Sequence, residues 1–116
     1  MTADDLHAIV MAFPGAEEGT SYGHPGYKVK GKFFTRLRAE DASVVLQEVG
    51  FDEREMLIEA EPATFHFTEH YRNYPVVLAR IENLDPGSLR SLLERRWRKI
   101  APKRLVKEWD AGARQA

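Results

Sequence analysis

The stretch YKVKGKFFTRLRA, residues 27–39, constrains the fold most. Tyr27 and Val29 alternate with Lys28 and Lys30, and Lys30-Gly31-Lys32 supplies a tight turn. Beyond the turn, Phe33, Thr35, Leu37 and Ala39 fall on one face of an extended chain. Phe34, Arg36 and Arg38 fall on the other. A period of two on both sides of a glycine turn predicts an antiparallel hairpin. Glu40-Asp41 turns the chain again, and SVVLQEV brings it back as a third strand. Loops this short join meandering antiparallel neighbours.

The flanking segments have helical signals instead. Thr2 with Asp5 forms an acidic variant of the capping box. Leu6, Ile9, Val10 and Phe13 then follow the helical period until Pro14-Gly15. A second helix is predicted from Asp52, with Glu55 completing another box and Phe51 stapling to Met56. Leu57, Ile58 and Ala60 point inward, and Pro62 ends it. TFHF and PVVLARI are further strands. Asp85 caps a third helix with Pro86 at its first position and Leu84 stapling to Leu89. Its apolar stripe is Leu89, Leu92, Leu93, Trp97 and Ile100. Pro102 breaks the chain, and a short last helix carries Leu105, Val106 and Trp109 before Gly112. This order predicts an α+β fold: a single compact domain over 1–116, with an antiparallel sheet of hairpins packed against N-terminal, middle and C-terminal helices.

Composition excludes several chemistries. The 116 residues include no cysteine, so disulfides, thiolate metal sites and a catalytic thiol are ruled out. Cysteine absence suits a reducing compartment. Asp4 and Asp5 stand where a signal peptide carries basic residues. No apolar run approaches the roughly 18 residues of a membrane span. The expected location is cytoplasmic. The net charge is -1, yet RRWRKIAPKRLVKEW, residues 95–109, holds seven basic side chains and one acid. The pI near 6.4 lies far below the value of about 9 common in bulk electrostatic DNA binders. A local basic patch remains open.

Several segments resemble, in order, the MmcQ/YjbR family. They are Phe13-Pro14-Gly15, SYGHPGYKVKGKFFTRL at 21–37, FDEREML at 51–57, HYRNYPVV at 70–77 and RRWRKIAPKRL at 95–105. The resemblance covers nearly the whole chain. The SYGHP-to-hairpin segment followed by W-x-x-x-A-P-K is its most specific element. It implies a compact α+β fold with β-hairpin "double wing" features and DNA binding. It carries over no catalytic residue set.

The candidate sites each have two readings. Arg98, Lys99, Lys103 and Arg104 are candidate phosphate contacts. Alternatively, cations in a helix's last turn complement its dipole and their stems cover apolar surface. Lys103 and Arg104 open the last helix, where the dipole disfavours them. Arg96 falls at the edge of the apolar stripe. Lys28, Lys30, Lys32, Arg36 and Arg38 are candidate wing contacts to DNA, or lysines that protect a strand edge. Tyr22, His24 and Tyr74 are candidates for a cleft between sheet and helices. His24 also fits a simple turn role beside Gly23 and Pro25. Tyr71 and Tyr74 suit either base stacking or anchoring of their loop. His66 and His70 in HFTEH have ligand-like spacing. The strand pattern of Phe65 and Phe67, however, separates them by about 13 Å, so no metal site is expected.

No nucleophile elbow, dinucleotide fingerprint or P-loop occurs. The expectation is a non-enzymatic protein without a cofactor that associates with double-stranded DNA. The alternative is a protein-interaction or small-ligand module. An enzyme would require a deep pocket where His24, Tyr and Arg groups converge.

Overall fold

A computed structural model describes residues 1–21 and 23–115. Its elements follow the expected order. Helix α1 (Ala3–Met11) leads into β1 (Ala16–Ser21), β2 (His24–Val29), β3 (Lys32–Thr35), β4 (Leu37–Arg38) and β5 (Ser43–Gln47). Then come α2 (Phe51–Ala60), β6 (Phe65–His66), a 3-10 turn at Glu69–Tyr71, β7 (Val76–Arg80), α3 (Pro86–Ile100) and α4 (Lys103–Gln115). The molecule is α+β, with four α-helices and two antiparallel sheets among the described residues.

The meander does not form one sheet. Strands β1-β2-β3 make a three-stranded sheet, and β4-β5-β7-β6 a four-stranded one. The two-residue turn Lys30-Gly31 has positive φ at both positions, 49° and 83°. This is the geometry that matches a hairpin's right-handed twist. The chain leaves the first sheet after Thr35 and enters the second at Leu37. Thr35 is buried and its hydroxyl donates to the Val45 carbonyl, 2.7 Å. The Val45 amide donates to the Arg36 carbonyl, 3.0 Å.

This crossing shifts the faces expected from simple alternation. Phe34 enters the core and Leu37 packs against it. Phe33, Arg36 and Arg38 border the opposite side of the four-stranded sheet. The period of two predicts Phe33 with Leu37, and Phe34 with Arg36. The passage between sheets breaks that register.

One side of the four-stranded sheet carries Val44, Leu46, Val77, Ala79 and Phe65 into the main core. There they meet Leu6, Val10, Leu89, Leu93 and Trp97. The α3 stripe is buried as expected, and Asp85 caps the helix by accepting from the Ser88 amide, 2.9 Å. Thr2 and Asp5 form the full capping box on α1. Trp97 donates its indole N–H to the Pro14 carbonyl, 2.9 Å, tying α3 to the end of the first helical segment. Trp109 stacks on Phe13 at 5.4 Å and holds α4 in place. Helix α4 runs through Gly112 and is longer than its apolar pattern suggests.

Helix α2 departs most from expectation. Gly50 occupies its N-cap position without a side-chain bond. Phe51 and Met56 are exposed, so no staple forms, and Ala60 is exposed too. The buried residue of α2 is Arg54, 6% exposed. No helix among the described residues is long and apolar enough to cross a membrane.

Candidate functional site: a cleft between the two sheets

Arg54 organises one wall of the site. Its Nη1 donates to the carbonyls of Tyr71, Tyr74 and Val76 at 3.0, 3.1 and 3.2 Å. Its Nη2 donates to the Arg72 carbonyl at 2.9 Å. The Phe67 ring covers its guanidinium at 3.9 Å and Phe51 lies at 5.1 Å. The charge is thus compensated by carbonyl dipoles and aromatic faces instead of a carboxylate. Four bonds from one rigid fork fix the path of residues 71–76, which lack a regular backbone ladder of their own over 72–75.

The anchored loop faces a cleft of about 670 Å³. Its floor is the outer side of the four-stranded sheet, with Val45, Gln47, Val76 and Arg38. The three-stranded sheet contributes His24 and Phe33, and the crossing contributes Arg36. The loop contributes His70, Tyr71, Tyr74 and Pro75; α3 contributes Arg96; Glu40 is the single acid. Val45, Val76 and Leu78 form a small apolar cluster beneath it, flanked by Phe33 and Tyr71. Gly26 makes room for this arrangement. A Cβ there would stand 3.1 Å from the Arg36 Cβ and 3.3 Å from the Thr35 carbonyl.

The polar groups in the cleft divide into committed and free. Arg96 donates from Nε and Nη2 to the Phe33 carbonyl, at 3.0 and 2.7 Å, and from Nη1 to Glu48, 2.8 Å. It therefore clamps α3 to β3. Arg38 pairs with Glu40 and Asp41, both at 3.3 Å. Among the described residues, the side chains of Arg36, Gln47, His24 and His70 and the hydroxyls of Tyr71 and Tyr74 make no hydrogen bond or ion pair. His70 packs edge-on against Tyr71 at 4.8 Å and near Tyr74 at 6.4 Å. Tyr74 is 57% exposed.

A second polar group lies along the same sheet. The His66 Nε2 is 2.8 Å from the Ser43 hydroxyl and 3.9 Å from Asp41. Burial, then the charge of Arg80, holds the His66 imidazole below its ordinary value, against the pull of Asp41. Both neighbours approach the same ring nitrogen, so Asp41 does not orient the imidazole from its far side as a catalytic triad requires. Ser43 is fully buried. His66 ends the two-residue strand β6 while His70 lies on the 3-10 turn, so the strand expected through HFTEH stops short of His70, and the two rings face different surroundings.

The C-terminal cations are largely occupied. Arg95 forms a bidentate pair with Glu53 at 2.6 and 3.0 Å. Arg98 joins Glu94 of its own helix, 2.9 Å, to Asp110 of α4, 2.7 Å. Lys99 pairs with Glu48 at 2.9 Å, and Arg104 with Glu108 at 3.4 Å. Burial pushes the Glu48 carboxyl up, but hydrogen bonds from Lys99 and Arg96 outweigh it and leave the carboxyl below its usual range. Lys103 has no ion pair among the described residues, nor have Lys28, Lys30 and Lys32 on the hairpin.

The structure therefore brings His24, Tyr74, Arg36 and Arg38 together in one cleft. Lys30, Lys32 and Lys103 stay exposed, and Lys28 lies half-buried outside the cleft lining. Tyr22 lies outside the described residues. Sequence reasoning missed Gln47, Arg54 and Arg96 as parts of the site. Arg96 alone carried a signal, its position at the edge of the α3 stripe.

Uncharacterised proteins of Mycobacterium bovis and of two Mycobacterium tuberculosis strains are 35% identical over 57 residues. The match covers 49% of this chain but only 44% of each relative, so the matched segment is less than half of their length. No solved structure matches significantly. The YjbR family model matches residues 11–99, which hold both sheets, Arg54, the tyrosine loop and nearly all of α3, and the chain belongs to the YjbR family.

Proposed function

We propose that this protein is a non-enzymatic binding module whose cleft between the two sheets takes a small organic anion. One observation carries the reading. Elements tied by Arg54 and Arg96 surround the cleft, while the side chains of Arg36, Gln47, His24 and His70 and two tyrosine hydroxyls inside it make no hydrogen bond or ion pair among the described residues. Ligand sites commonly combine an apolar lining with a few convergent polar groups. A supported shell that leaves its working groups free is the arrangement such sites need. The volume falls within the range of about 300–1,000 Å³ typical of small-molecule sites.

Calorimetric titration with phenyl phosphate tests the reading. Saturable binding that weakens about tenfold in Arg36→Ala, or roughly 1.4 kcal/mol, supports it. Equal affinity in the variant places the anion elsewhere.

A second reading, association with double-stranded DNA, is favoured by the four lysines Lys28, Lys30, Lys32 and Lys103, which have no acid partner among the described residues. The pairing of Arg98, Lys99 and Arg104 with carboxylates counts against it. Fluorescence anisotropy of labelled duplex between about 50 and 200 mM salt separates the two. Engagement of about four phosphates gives a log–log slope near -3.6, and no binding at the lower salt removes the DNA reading.

A further inference from the structure

We infer that the occupant of the cleft is a nucleoside monophosphate: a planar heterocycle joined to one phosphate. This inference rests on the cleft reading above and adds the ligand's chemical class.

The charge balance comes first. Arg36, Arg38 and Arg96 line the cleft, but Arg38 pairs with Glu40 and Asp41 and Arg96 with Glu48, so the charge left to a ligand is that of Arg36. A phosphate monoester, at about -1.5 to -2 at neutral pH, meets that charge in full. The Arg36 guanidinium makes no hydrogen bond or ion pair among the described residues, its charge reaching Glu40 only at a distance, and a planar fork of N–H donors fits phosphate oxygens in pairs.

The aromatic groups come second. His70, Tyr71 and Tyr74 form a ring cluster on one wall, and Tyr74 keeps 57% of its surface exposed. Exposed rings beside a cationic groove serve as stacking platforms for bases, each stack being largely sequence-tolerant. Discrimination comes from the floor. The side-chain amide of Gln47 is unpartnered among the described residues and presents a donor and an acceptor together. Base edges present complementary donors and acceptors side by side, and a Gln amide pairs with them in bidentate fashion.

The surroundings favour a free mononucleotide over a strand. Glu40 lines the cleft and Glu69 immediately precedes His70. Glu17 and Glu18 lie on β1, the strand next to the one that carries His24. Successive phosphates of a polymer would approach these carboxylates, whereas a single phosphate at Arg36 does not need to.

The test is a backbone-amide NMR titration of the full chain with the four ribonucleoside 5′-monophosphates. Their parent nucleosides, phenyl phosphate, inorganic phosphate and a tetranucleotide serve as comparisons. The expected result is saturable binding of at least one mononucleotide, with shifts at residues 36, 47 and 70–74. Its affinity should exceed that of its nucleoside and of phenyl phosphate by about tenfold or more. Gln47→Leu should flatten the preference among the four bases, and an unchanged preference would remove Gln47 as the group that reads them. Phenyl phosphate binding as tightly as every nucleotide would overturn the nucleotide inference while the anion cleft stands. A tetranucleotide binding far more tightly than any monomer would overturn it in favour of a single strand. No ligand shifting the cleft amides would overturn both the inference and the cleft reading on which it rests.

Discussion

Arg54 shows how one side chain can stand in for a stretch of regular structure. Residues 72–75 pair with no strand, yet the carbonyls of Tyr71, Arg72, Tyr74 and Val76 all meet its guanidinium. Replacing Arg54 with Met keeps the stem and removes the donors. The expected cost is about 3 kcal/mol, since buried acceptors lose charged partners. Urea denaturation reads it, and a loss under about 0.5 kcal/mol would mean that the loop holds its shape without the arginine. His66 gives a second prediction at this scale. Its folded value lies below the ordinary histidine value of about 6.5 because burial and then Arg80 disfavour the imidazolium. Protonation therefore favours the unfolded chain. The His66 contribution is whole above about pH 6.5 and is lost as pH falls through the depressed folded value. His66→Gln should flatten the stability profile between about pH 7 and 5, and an unchanged slope there would remove His66 as its source. Neither residue was legible from the sequence in this role. The partners of Arg54 are backbone carbonyls in an aperiodic loop, and a sequence pattern records only side chains.

At the scale of elements, α1 and α3 were legible in advance because cap, period and stop signals agree in each. Helix α2 was not. Its FDEREM pattern satisfies the rule for an acidic box and a staple, but the helix turns Arg54 inward and leaves Phe51 and Met56 outside. A buried arginine with four acceptors outcompetes an apolar staple, and the rule does not anticipate it. The joint between β5 and α3 offers a sharper test. Glu48 sits at φ 66°, a left-handed conformation costly for a residue with a side chain. It accepts from both Arg96 and Lys99, and its carbonyl accepts from Arg95. Glu48→Ala loses the carboxylate and keeps the strain, while Glu48→Gly loses both. The glycine variant should be more stable than the alanine variant by about 1 kcal/mol, read by chemical denaturation. The reverse order would mean that the strain is negligible at this joint.

At the scale of the molecule, residues from both sheets and three helices contribute to the main core. Val29 and Phe34 come from the smaller sheet, Val44 and Val77 from the larger, and Leu6, Trp97 and Leu105 from α1, α3 and α4. Shared burial of this kind predicts a single cooperative transition, with tryptophan fluorescence and far-UV dichroism superimposing on chemical denaturation. Two separated transitions would mean that the sheets unfold independently. The α+β class and the antiparallel pairing were legible from alternation and short loops. The division into two sheets was not, because the period of two runs through Thr35, Arg36 and Leu37 without a glycine or proline to mark the crossing.

That crossing has a mechanical consequence. Residue 36 sits where the chain passes from one sheet to the other, its carbonyl held by Val45 of the second sheet. A guest held by Arg36 would therefore touch the one stretch of backbone common to both sheets, and slowed amide exchange should extend to each of them.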